Sequence, residues 1–151
     1  MKPFESVDAV LDFAIAREQE AFDFYHALAR KTTDNALMHM LTGFAEEEAG
    51  HKRKLEAVKE GEQYLPARKE TLDLKVGDYL VDVEPSPDMS FQDTLVVAMK
   101  REKAAFQLYT DMAETMQDAA FSELFSSLAQ EEAKHKLRFE LVYEKTFMKE
   151  N

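Results

Sequence analysis

The chain has 151 residues, 45% hydrophobic and 32% charged, with four Gly, four Pro, no Cys and a formal charge of −11 at pH 7. That length fits one domain able to bury a real core, and the acidity argues against nucleic acid or anionic membrane as a partner. The missing cysteines exclude disulfides, thiolate metal sites and cysteine nucleophiles, and leave the redox compartment open.

In chain order, Ser6 is placed to cap a first helix that runs to about Lys31, with Asp8 in its first turn. Thr32-Thr33-Asp34-Asn35 is a short polar break. A second helix follows from about Asp34 to Glu60, with Gly61 placed to stop it. Residues 61 to 89 change character: they hold Pro66, Gly77, Pro85 and Pro87, and Leu72–Val76 alternates as a short extended segment does. This stretch reads as a crossover connection, with room for one helical turn near Gly77–Val81. Ser90 and Asp93 then form a capping box with Asp in place of Glu. A third helix runs to about Met116, Gln117-Asp118 breaks it, and a fourth runs to about Phe147. No apolar run approaches the roughly 18 residues of a membrane-spanning helix, and Met1-Lys2-Pro3-Phe4-Glu5 is no signal peptide, so a cytoplasmic location is the default expectation.

The two halves repeat. A shift of 84 residues lays Arg17-Glu18 on Arg101-Glu102, Tyr25 on Tyr109, Glu47-Glu48-Ala49 on Glu131-Glu132-Ala133 and His51 on His135. About 17 of the 44 paired positions between 17 and 60 are identical, well above chance for an ungapped overlay. One duplicated hairpin is too short for a solenoid, which needs three or more units. Two short breaks and one long connection predict an all-α, four-helix bundle with a single crossover: hairpin 6–60, crossover 61–89, hairpin 90–147.

Within the repeat, each half carries Glu-x-x-His, at Glu48/His51 and Glu132/His135, and each has a glutamate 30 residues upstream, Glu18 and Glu102. Periodicity places all six inside. In the second helix Leu37, Leu41, Phe44, Glu48, His51, Leu55 and Val58 step by four and three, the spacing of a buried seam. The fourth helix repeats this from Phe121 to Val142 through Glu132 and His135, while the first and third place Glu18 and Glu102 on otherwise apolar stripes. Glu18 and Glu48 are equidistant from Thr33, so an antiparallel hairpin sets them at one height, about 22 Å from the turn at 1.5 Å per residue. Glu102 and Glu132 are likewise equidistant from Gln117. Four carboxylates and two imidazoles are therefore expected in one layer of the core.

Buried carboxylates cost several kcal/mol each unless paired or protonated, and no lysine or arginine falls on the inward stripes. Metal ions answer both points. Carboxylate oxygen with imidazole nitrogen and no thiolate suits iron or manganese, with zinc as a non-redox competitor. Two metals would use all six ligands and keep open positions for a substrate. A lone Glu-x-x-His is weak, because a solvated helix face explains most of them; two in register, each with its upstream glutamate, are specific. Glu46, Glu47 and Glu131 point off the seam and read as surface charge, and His26 and His39 lack repeat partners. Tyr25 and Tyr109, two turns after Glu18 and Glu102, either fill the core or give their hydroxyls to a ligand carboxylate, and we favour the second. Gly50 sits between two ligands, where it weakens the helix and makes room for close packing.

On Glu18/Ala21/Tyr25, Glu48/His51, Glu102/Ala105/Tyr109 and Glu132/His135, the sequence resembles the rubrerythrin type of the ferritin-like superfamily, over about 120 of its 151 residues. A glutamate from each of two helices with Glu-x-x-His from each of the other two is the ligand pattern of ferritin-like di-iron and di-manganese proteins. The resemblance implies a ferritin-like bundle, two iron ions held by Glu18, Glu48, His51, Glu102, Glu132 and His135, an oxidoreductase that reduces hydrogen peroxide or dioxygen with oxidation of Fe(II), and a homodimer. Rubrerythrins proper carry a four-cysteine rubredoxin domain; with no cysteine here, the electron donor is expected to be a separate, rubredoxin-like molecule. They also carry an extra glutamate three residues after the third-helix ligand, where this chain has Ala105, so the six-ligand set is symmetric and closer to that of bacterioferritins. The alternatives are an iron storage or handling protein of the ferritin class and a metal-binding module without turnover.

Overall fold

The computed structural model describes residues 4–61, 79–81, 86, 88–116 and 118–148. Four helices account for nearly all of these: α1 (Val7–Lys31), α2 (Asn35–Gly61), α3 (Phe91–Thr115) and α4 (Ala119–Phe147). The chain divides into two compact units, Phe4–Leu72 and Met1–Pro3 with Asp73–Asn151, so that each unit holds one helical hairpin. The expected extended segment at 72–76 and most of the crossover lie outside the described residues, as does Gln117.

Each helix starts where a short polar side chain can take up backbone N–H groups that the first turn leaves over. Ser6 Oγ accepts from Ala9 N at 3.1 Å, and Asp34 Oδ1 accepts from Leu37 N at 3.1 Å. Ser90 Oγ accepts from Asp93 N at 3.1 Å, and Asp118 Oδ1 accepts from Ala120 N and Phe121 N at 2.8 and 3.3 Å. Four caps, one at the start of each helix, fix where the hairpins' helices begin. Gly61 is the last residue of α2 and not the first beyond it.

In the first hairpin, polar side chains tie α1 to α2 along the antiparallel register. Lys59 near the end of α2 pairs with Asp12 near the start of α1, and Lys52 Nζ donates to Gln19 Oε1 at 2.8 Å. In the second, Gln92 Nε2 donates to Tyr143 Oη at 2.8 Å, and Ser122 Oγ donates to the Ala113 carbonyl at 2.7 Å, close to the turn. The crossover is anchored to its own unit by Tyr79, which is 3% exposed and whose hydroxyl donates to Asp111 Oδ2 on α3 at 2.7 Å.

The seams inferred from spacing are largely buried, with Ala21 and Ala105 half-buried beside the central glutamates and several positions near the helix ends partly open. Leu11, Ala14, Leu41, Phe44, Leu55, Leu95, Ala98, Met112, Phe125, Leu128 and Phe139 are all buried. Leu28, Leu37, Val58, Phe91 and Val142, nearer the helix ends, are half-buried. Burying an aliphatic or aromatic side chain is worth about 1.5–3 kcal/mol, so the central turns of each hairpin carry most of its stability. Among the described residues no helix is long and apolar enough to cross a membrane.

Candidate metal centre

Among the described residues seven polar side chains are buried, and six of them are Glu18, Glu48, His51, Glu102, Glu132 and His135, each at most 2% exposed. The seventh, Thr94, bonds back to its own helix, its hydroxyl donating to the Ser90 carbonyl. In each hairpin, two carboxylates and one imidazole thus interrupt an otherwise largely apolar set of buried side chains among the described residues.

In the first hairpin, α1 supplies Glu18 and α2 supplies Glu48 and His51 from consecutive turns of one face. His51 Nδ1 lies 3.2 Å from Glu48 Oε1 and 3.5 Å from Glu18 Oε2. In the second hairpin, α3 supplies Glu102 and α4 supplies Glu132 and His135, with His135 Nδ1 at 3.6 Å from Glu102 Oε1 and 3.9 Å from Glu132 Oε2. Within each triad one ligand atom per residue lies within 4.8 Å of the other two. Both histidines turn the same ring nitrogen to their carboxylates, as the 84-residue repeat requires. The second triad is the more open of the two.

The electrostatics of the first triad follow from burial and charge. Burial alone would push the His51 imidazole down, because it penalises the cation. Hydrogen bonds to Glu18 and Glu48, and the field of both carboxylates, outweigh that and push it up to about 11. Two buried carboxylates facing one imidazole thus favour a positive charge between them, which a proton or a metal cation can supply. Two carboxylate oxygens and one imidazole nitrogen in a dry pocket are a donor set for a divalent transition metal.

Tyr25 and Tyr109 are each 1% exposed. Tyr25 meets the Phe44 ring edge-on at 6.2 Å, and Tyr109 stacks on Phe125 at 6.2 Å. The aromatic partner comes from a different turn in each hairpin. Leu41 and Phe44 on α2 correspond to Phe125 and Leu128 on α4, so the two residue types have changed places. Ala21 and Ala105 are both half-buried.

The histidines set aside on sequence grounds lie outside the core. His26 is exposed and stacks on Phe22 with ring centroids 5.6 Å apart, and His39 is exposed on α2. Glu46 and Glu47 are exposed and Glu131 is half-buried. Gly50 does not serve close packing: a Cβ there would meet only Arg53 Nη2, at 3.7 Å.

Sequence reasoning missed the polar bond beside the first triad. Gln19 follows Glu18 and Lys52 follows His51, and their side chains join at 2.8 Å. The repeat held the clue, because the matching positions are Lys103 and Lys136, two cations that cannot make this bond. Lys136 instead donates to Glu140, one turn on, at 3.0 Å. The ties flanking the two triads therefore differ although the triads match.

Two solved structures resemble this one. A candidate ferritin-like diiron-carboxylate protein from Thermotoga maritima superposes with a TM-score of 0.79, covering 97% of this chain and 99% of that one at 16% identity. A hypothetical protein from Pyrococcus furiosus gives a TM-score of 0.71 at 27% identity, covering 92% of this chain and 89% of the other. No curated protein matches significantly. The first likeness establishes the ferritin-like four-helix fold. Residues 9–143, nearly the whole length, match the family model for rubrerythrin, and with its duplicated Glu-x-x-His helices the chain belongs to the rubrerythrin family.

Proposed function

We propose that Glu18, Glu48, His51, Glu102, Glu132 and His135 together hold two iron ions, and that the protein reduces hydrogen peroxide or dioxygen there with oxidation of Fe(II). The observation that carries this reading is the duplicated triad of buried carboxylates around a histidine Nδ1. Membership of the rubrerythrin family supports it. Bound iron would supply electrons and Lewis acidity.

The chain's own residues do the rest. Four carboxylates offset the charge of two divalent cations, and His51 gives up its proton before its Nδ1 can donate to a metal. Tyr25 and Tyr109 give their hydroxyls to ligand carboxylates and fix their orientation. Phe44 and Leu55 lie one turn either side of Glu48 and His51, and Leu128 and Phe139 flank Glu132 and His135. These apolar turns keep water from the ligands. The protein works as a homodimer in the cytoplasm, taking electrons from a separate, rubredoxin-like donor.

The test is to load the protein anaerobically with ferrous iron, mix it with peroxide or dioxygen, and follow oxidation optically. Oxidation faster than that of free iron, and lost in His51→Ala and His135→Ala, is the expected result. Oxidation no faster than free iron overturns the proposal.

A further inference from the structure

In the first hairpin two bonds join α1 to α2 along one flank. Asp12 pairs with Lys59, and Gln19 Oε1 accepts from Lys52 Nζ at 2.8 Å. The partners are seven residues apart on each helix, so the two bonds are rungs of one ladder in the antiparallel register. The second rung lies beside the candidate ligands, since Gln19 follows Glu18 and Lys52 follows His51. Gln19 is held from both ends. Its Nε2 donates to Asp23 Oδ1 at 3.0 Å, one turn on, which leaves its Oε1 for Lys52. Both partners of this rung are half-buried.

The second hairpin can build neither rung. Val96 and Tyr143 correspond to Asp12 and Lys59, and Lys103 and Lys136 correspond to Gln19 and Lys52. Two ammonium groups have no acceptor between them. Lys103 is exposed, and Lys136 turns to Glu140 on its own helix at 3.0 Å. The triads differ in the same sense. Nitrogen and oxygen ligands about 2.1 Å from one metal ion sit roughly 3.0–3.4 Å from each other. His51 Nδ1, at 3.2 and 3.5 Å from its two carboxylates, is close to that spacing. His135 Nδ1, at 3.6 and 3.9 Å from its own, must be drawn in further.

We propose that Gln19 and Lys52 form a clamp that holds the ligands of the first hairpin at metal-binding spacing, and that the second hairpin lacks this clamp. The proposal rests on the reading that the triads hold metal ions, and it names what positions one of them. Neither residue touches the ion; both are positioning residues. Their bond fixes α1 against α2 beside Glu18 and His51, so that this triad is ordered before an ion arrives. Ordering that precedes binding is not subtracted from affinity.

The test is a Zn(II) titration of the metal-free full chain, labelled with heavy nitrogen in histidine, against a chelator of known affinity at one neutral pH. The ring nitrogens of His51 and His135 then report each site separately by NMR. Gln19→Leu keeps the volume and loses the acceptor. It is expected to weaken binding at His51 about three- to tenfold, the contribution of one hydrogen bond, and to leave His135 near its parent value. Gln19→Glu keeps an acceptor for Lys52 and should bind at His51 as the parent does. Lys103→Gln gives Lys136 a partner and should tighten binding at His135 by a similar factor, a gain that no loss of folding produces. Binding at His51 that ignores Gln19→Leu, or that weakens alike at both histidines, overturns the clamp and leaves the metal centre intact. So does a Lys103→Gln variant that binds at His135 no more tightly than the parent. Zinc that reaches neither histidine in the parent overturns the metal reading as well.

Discussion

His51 Nδ1 lies 3.2 Å from Glu48 Oε1, one turn back on α2, and both side chains are 2% exposed. In the metal-free protein this contact makes stability depend on pH. The imidazole, ordinarily near 6.5, is pushed up to about 11 in the folded chain, where contacts with Glu18 and Glu48 outweigh burial. Between those values the folded state holds a proton that the unfolded state has lost. The stabilisation is therefore complete below about pH 6.5 and is lost as pH rises toward 11. Denaturant unfolding of metal-free protein between pH 6.5 and 9.5 should show a steeper fall than in His51→Gln. Parallel curves would contradict the assignment.

Metal should reverse the balance. Binding to the folded state alone stabilises by about 2.7 kcal/mol when free metal is a hundredfold above the dissociation constant. Anaerobic Fe(II) or Mn(II) should raise the melting temperature, and calorimetry should count two ions per chain. His135→Ala, which removes the Nδ1 donor of the more open triad, should lower that count to one or fewer. An unchanged count would remove His135 from the ligand set.

Gly50 is a test of what the ligand-bearing helix needs. A Cβ there meets only Arg53 Nη2 at an ordinary 3.7 Å, and alanine is about 1 kcal/mol better than glycine inside a helix. Gly50→Ala should raise the unfolding free energy measured by urea denaturation by about that amount. A loss of stability would mean that α2 must bend at this point.

Tyr79 is bonded to α3 through its hydroxyl, 2.7 Å from Asp111 Oδ2. Tyr79→Phe keeps the buried ring and leaves a carboxylate short of a donor, which should cost about 1–2 kcal/mol. Asp111→Asn, which keeps an acceptor for the hydroxyl, should cost less. A Tyr79→Phe variant as stable as the parent would show that the bond contributes little.

Most of the fold could be read from the chain because helices announce themselves locally. Ser6, Asp34, Ser90 and Asp118 cap where the polar breaks suggested, and each helix boundary falls within a residue or two of its expected place. The six candidate ligands were legible for a different reason. A glutamate at a four-three position among leucines and phenylalanines is anomalous, and a repeat turns one anomaly into two. The exposure of Leu137 and Leu141 was not legible, because spacing does not say whether a leucine off the inward stripe is covered by a neighbour. The bond between Gln19 and Lys52 was hidden too. Both residues look like surface polars, and only the register of α1 against α2 brings them together.

The exchange of Leu41 and Phe44 for Phe125 and Leu128 bears on how far the two hairpins can stand in for each other. Each places one phenylalanine and one leucine a turn apart ahead of its Glu-x-x-His, in opposite order. Copying the fourth-helix residue into position 41 alone would set two phenylalanines on adjacent turns, and overfilling a packed core commonly costs about 1–3 kcal/mol. Copying both keeps the volume. At this place the two halves differ by a compensating pair, so the unit of exchange here is the neighbouring pair, and a single residue moved across the repeat arrives without its counterpart.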